Sequence, residues 1–232
     1  MSLGEATRMT EPRAIGRGDL AASLVLVFPL FLAYQVGVLF AGNVNGADVV
    51  TRAVYGAVGR SAYLLANAGL AIGFLIWLRR GHRGNTLRLK VVSLVVIEAA
   101  IYALALCALV AVVQNRVLGL GITASSIVNA AGAGVHEELA FRLVLLGGLV
   151  AILSRLTSDH RVAVAFALVA SAVAFSAAHH LGIHGEPFTS RAFAFRCVAG
   201  LVFGLVFWFR SLAHAVYAHA FYDVLVYWRF GS

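Results

Sequence analysis

The sequence predicts an all-α fold: a polytopic transmembrane bundle of about seven spanning helices, within a range of six to eight. Three observations lead there. Of the 232 residues, 61% are hydrophobic and only 12% charged, with a mean hydropathy of +0.90, which is not the balance of a soluble domain. Apolar windows long enough to cross a bilayer recur along the whole chain. The basic residues lie between those windows rather than in one stripe, so the net charge of +8 is that of a membrane protein, and nucleic acid is excluded as a partner.

Taken in order, the windows fall near 20–41, 61–78, 91–113, 126–153, 162–180, 192–209 and 211–228. The first is longer than a secretory h-region and has no small-residue cleavage site after it, so it reads as a retained anchor. The charged residues 1–19 before it read as a tail, and 20–232 as one membrane-embedded helical domain. The stretch 42–60 leaves room for an interfacial or extra helix. Arg8, Arg13, Arg17, the cluster Arg79, Arg80, Arg83, Arg88 and Lys90, then Arg155, Arg161 and Arg210 fall on one side of a seven-span path. Only Arg52, Arg60, Arg116, Arg191 and Arg229 fall on the other. The positive-inside bias therefore puts the N terminus in the cytoplasm. Gly69 with Gly73, and Gly200 with Gly204, have the spacing that lets helix backbones approach. Cys107 and Cys197 lie in apolar windows and read as small buried hydrophobes.

The fourth window breaks the apolar pattern. Between Ser126 and Leu153 it carries His136-Glu137-Glu138-Leu-Ala-Phe-Arg142. Each charge at the centre of a spanning helix costs about 3 kcal/mol, so three together cost on the order of 8 to 10 kcal/mol and cannot face lipid. Glu138 and Arg142 are four apart with the acid first, the favoured order for an ion pair on one helix face. Glu137 points about a hundred degrees away and is left with less compensation, the position of a general base. Phe175, His179 and His180 end the fifth window, and His219 and Asp223 lie four apart in the seventh. One such histidine is ordinary packing; acids and imidazoles on three spans point to a site. Glu98 and Arg196 are also intramembrane and read as an unrelated pair or a support for the site. A zincin helix is absent, because the second ligand of His-Glu-x-x-His would fall on Ala140. By ligand type alone, Glu137, His179 and His219 are also a candidate zinc set, without a spacing rule behind it. A serine–lysine dyad is not available, since Lys90 is the only lysine.

The ordered set Glu137-Glu138-x-x-x-Arg142, Phe175-x-x-x-His179 and His219-x-x-x-Asp223 resembles the CAAX-protease and bacteriocin-processing family of intramembrane glutamic-type endopeptidases, over about residues 125–228. The resemblance implies a peptidase that needs no cofactor. In it Glu137 activates water, His179 holds or polarises that water, and His219 and Asp223 match the positions that stabilise the oxyanion. Glu138 and Arg142 would support the site; His180 is a rival to the adjacent His179, which the four-residue offset from Phe175 selects. The family often has Asn where Asp223 stands. An ionised Asp would repel an oxyanion, so Asp223 either is protonated or orients His219 by accepting its ring N–H, and the orienting role is the favoured expectation.

The implied substrate is a membrane-anchored protein or peptide, unwound near the cavity because an intact helix protects its carbonyls. An Ala- and Val-rich chain with many Arg and one Lys suggests a high-GC bacterium and its inner membrane. The segment Phe28-Pro-Leu-Phe-Leu-Ala-Tyr-Gln35 with Asn45-Gly46-Ala47-Asp48 resembles a bacterial subgroup that trims C-terminal sorting tails of exported proteins. The competing readings are a zinc-dependent version of the same protease, a proton-coupled transporter using these groups as a relay, and a non-catalytic immunity protein.

Overall fold

The computed structural model describes residues 17–40, 49–81, 89–114, 124–181 and 185–230. All regular structure among them is helical, in eight helices. They are α1 (Arg17–Phe40), α2 (Val49–Val58), α3 (Arg60–Arg80), α4 (Leu89–Gln114), α5 (124–156), α6 (His160–Ala178), α7 (Ser190–Phe209) and α8 (Leu212–Phe230). Six of these, α1 and α3 to α7, contain stretches long and apolar enough to cross a membrane. Helix α8 has the length of a span, and its polar residues His214, His219 and Asp223 are the ones the fold turns inward. The room left at 42–60 is taken by α2, whose ten residues are too few to span. Most of the expected N-terminal tail lies outside the described residues, as does much of the basic cluster after Arg80.

The arrangement inverts a soluble protein. Leu65, Ile72, Ile97, Leu104, Phe166 and Val169 are all more than half exposed, which is where lipid would sit. Inside, α8 is the central element and packs against α1, α4, α5 and α7. Val135, Leu146, Val164, Phe207, Leu212 and Val216 form the main core at one end of the bundle. Ala99, Ala103, Ala199, Phe203, Ala218 and Tyr222 form a second core beside the polar residues.

Small residues set how near the backbones come. A Cβ added to Gly134 would lie 2.8 Å from the Val216 carbonyl oxygen, so glycine there lets α5 meet α8 backbone to backbone. Gly200 does the same for α7, its would-be Cβ only 3.1 Å from the Ala172 Cα of α6. The other expected small-residue pair is not a contact. Gly69 and Gly73 have nothing within 4 Å of a would-be Cβ among the described residues, because α3 lies at the edge of the bundle and its small face meets no helix.

Helix α5 is not α-helical throughout. It is α-helix over Ala124–Glu137, π-helix over Glu138–Leu146 and α-helix again over Gly147–Leu156. The wider turn shifts hydrogen bonds by one residue, so the Gly147 N–H reaches back to the Arg142 carbonyl. The Phe141 carbonyl receives the Ser171 hydroxyl of α6 at 2.7 Å. Such segments occur mostly at functional sites, and this one begins inside the acidic motif.

Candidate active site

Glu137, the last residue of the first α segment, and Glu138, the first of the π segment, are both buried, 2% and 0% exposed. Arg142 is fully buried too. Its Nε lies 3.1 Å from Glu138 Oε2, its terminal nitrogen donates to the Gly200 carbonyl at 3.2 Å, and its guanidinium covers the Phe175 ring at 4.4 Å. The expected ion pair is therefore present, embedded in contacts to α6 and α7.

His219 comes up from α8 between the two glutamates. Its Nδ1 donates to Glu138 Oε1 at 2.7 Å, and its Nε2 lies 3.8 Å from Glu137 Oε2. The Phe203 ring stacks on it at 4.6 Å. This corrects the expectation for Asp223, whose Oδ2 is 3.6 Å from Nε2, beyond hydrogen-bond range. The group that orients the ring is Glu138, because the π turn delivers one of its oxygens to His219 and the other to Arg142. Asp223 faces the same nitrogen that the cavity does.

His179 is the first residue beyond α6. Its Nδ1 donates to the Phe175 carbonyl at 2.8 Å, which fixes the ring so that Nε2 faces Glu137 Oε2 at 3.7 Å. The Phe175–His179 spacing thus has a physical meaning: a residue four back in a helix supplies the carbonyl that selects the tautomer. His180 turns away. Its Nδ1 donates to the Glu186 carbonyl at 3.0 Å, and its ring packs on Phe188 and Phe193, so it anchors the segment before α7.

A cavity of about 380 Å³ opens over these groups, with Glu137, His179, His219 and Asp223 in its wall. Arg196, read from the sequence as one of an unrelated pair or a support for the site, also lines it, and so does Glu186, which the sequence reading did not single out. Arg196 donates to Glu186, not to Glu98. Glu98 instead binds Arg210, Tyr102 and His214 in a separate cluster. His136 faces the other side of α5, with Nδ1 bonded to Gly132 and Nε2 to the Tyr63 hydroxyl of α3 at 3.1 Å.

Zinc would suit the histidine tautomers, since both Nδ1 atoms are already donors and both Nε2 atoms face Glu137. The spacing does not suit it: among the described residues no three His, Cys, Asp or Glu side chains stand close enough together to share an ion.

Apolar helices enclosing acids and imidazoles around a cavity make this a multi-pass membrane protein with a polar site inside the bundle. Residues 119–225 match the profile of the family described as type II CAAX prenyl endopeptidase Rce1-like. That segment, a little under half of the chain, is similar to the Rce1-like domain of the CAAX-protease and bacteriocin-processing family of membrane proteases. No curated protein and no solved structure matches the chain significantly.

Proposed function

We propose that the protein is a metal-free intramembrane endopeptidase that hydrolyses a peptide bond of a membrane-anchored protein with a water activated by Glu137. The observation that carries this reading is the approach of one buried carboxylate oxygen to two imidazole nitrogens, 3.7 Å to His179 and 3.8 Å to His219. Both separations are too long for direct hydrogen bonds, and a single water beside that oxygen reaches both rings. Glu137 takes a proton from this water, held by His179, as oxygen attacks the scissile carbonyl. The oxyanion forms against the Nε2–H of His219, whose Nδ1–H is held by Glu138, so the ring carries both protons when it acts. Glu137 then returns its proton to the leaving amine. Asp223 stabilises the same oxyanion as a carboxylic acid, the form that donates.

The charge distribution supports a cytoplasmic N terminus and a cavity opening outward, toward the α6–α7 connection. The proposed setting is a bacterial inner membrane, and the proposed substrate an exported protein with a C-terminal sorting or anchoring tail. The test is a comparison of membrane-protein termini in cells carrying wild type or Glu137→Ala. The expected result is a small set of proteins whose termini change; identical termini in both strains would remove the proposal.

The histidine tautomers favour one second reading, the zinc-dependent protease, in which Glu137, His179 and His219 would shift to hold the ion and the ion would polarise the water. Chelator treatment of purified protein separates the two. Unchanged hydrolysis is expected; loss restored by added zinc would select the second reading.

A further inference from the structure

Helix α7 presents Arg196, Ala199 and Phe203 to the cavity, three and four residues apart and so on one face. Phe203 marks the level of the chemistry through its stack on His219. Arg196 lies seven residues back toward the mouth, about 10 Å along the helix axis. It is the only guanidinium or ammonium group among the described lining residues, in a wall that also holds Glu137, Glu186 and Asp223.

Its ion pair is lopsided. The Arg196 side chain is 19% exposed, that of its partner Glu186 54%. The backbone of Glu186 is fixed, with its N–H bonded to the His179 carbonyl at 2.9 Å and its carbonyl to His180 at 3.0 Å. Its carboxylate bonds to Arg196 and, being the exposed partner, has open space to swing into, whereas the guanidinium is carried on α7 against the cavity.

We propose that Arg196 is an anion subsite, which takes a carboxylate of the bound peptide in exchange for Glu186. This rests on the peptidase reading and adds a substrate class to it: peptides with an acidic side chain or a free C-terminal carboxylate about 10 Å, roughly three extended residues, from the scissile bond. The exchange keeps the guanidinium paired throughout, so the cation is never stripped of a partner in a low-dielectric wall. A peptide with a neutral group at this place leaves Glu186 where it is and forgoes a charge-assisted, two-pronged bond.

The experiment uses Glu137→Ala protein in phosphatidylcholine vesicles and fluorescent, N-myristoylated Ala-Val peptides in four versions, with a free or amidated C terminus and one internal Glu or Gln. Binding is read by anisotropy. One carboxylate is expected to strengthen binding about ten- to a hundredfold over its amide, and the arm that does so identifies its source. Arg196→Gln should erase the preference and Glu186→Gln enlarge it; the latter changes an exposed side chain and keeps the test open if Arg196→Gln fails to fold. Equal binding of all versions, or a preference that survives loss of the guanidinium, overturns the subsite. Cleavage of the same peptides by wild type is scored separately. Preference without cleavage ends the peptidase reading and leaves the subsite; cleavage without preference does the reverse.

Discussion

At the scale of single residues, Glu138 has two attachments, to His219 and to Arg142, and no exposure. Removing it leaves a fully buried guanidinium without its counter-charge. Glu138→Ala should therefore destabilise the protein by about 3 to 5 kcal/mol, measured as a lower thermal midpoint in detergent. Glu137→Gln should behave oppositely: the fold stays, and hydrolysis falls by on the order of 10²- to 10⁴-fold with the loss of the base. Asp223 gives the sharpest outcome. As a donor it is replaceable by an amide, so Asp223→Asn should retain activity while Asp223→Ala loses about a hundredfold; kinetics showing Asn as damaging as Ala would return Asp223 to an orienting role. Glu137 was legible in the sequence because charge is so costly in an apolar span, and His179 and His219 because they joined it from two further spans. Their partners were not. The link from Glu138 to His219 crosses 81 positions and that from Arg210 to Glu98 crosses 112, and no local spacing encodes either.

At the scale of elements, the π segment explains how two adjacent glutamates on one helix both reach His219. In a regular α-helix neighbours diverge by about a hundred degrees; here the change of winding begins at Glu138. Periodicity in the sequence marked a long helix and could not show this, because π turns arise from what the surroundings do with a released carbonyl. The Ser171 hydroxyl supplies that partner to Phe141. Ser171→Ala should cost about 1 kcal/mol of stability and, by letting the helix rewind, lower turnover with little effect on substrate affinity. Ser171→Thr keeps the hydroxyl and should restore the rate; rescue by Thr separates a positioning role from simple packing. The backbone contact at Gly134 is equally silent in the sequence. Gly69 and Gly73 have the same spacing as the Gly200 pair, yet among the described residues only the latter meets a neighbouring helix.

At the scale of the whole molecule, the fold separates a wet end from a locked end. The cavity and the Glu186–Arg196 pair lie where α6 hands over to α7. The opposite end is tied by Glu98, Arg210 and His214, joining α4 to the α7–α8 turn. If the basic connections are cytoplasmic, the cavity must open to the outside and a substrate must reach it from the exported side. In a chain with Cys107 and Cys197 replaced by serine, Phe188→Cys sits on the α6–α7 connection, where the native side chain is 65% exposed. Ser158→Cys sits on the exposed turn between α5 and α6. A membrane-impermeant maleimide added to intact cells should label the first at once and the second only after permeabilisation. The reverse pattern would invert the topology and place substrate entry in the cytoplasm, leaving the chemistry of Glu137 untouched while excluding exported proteins as its targets.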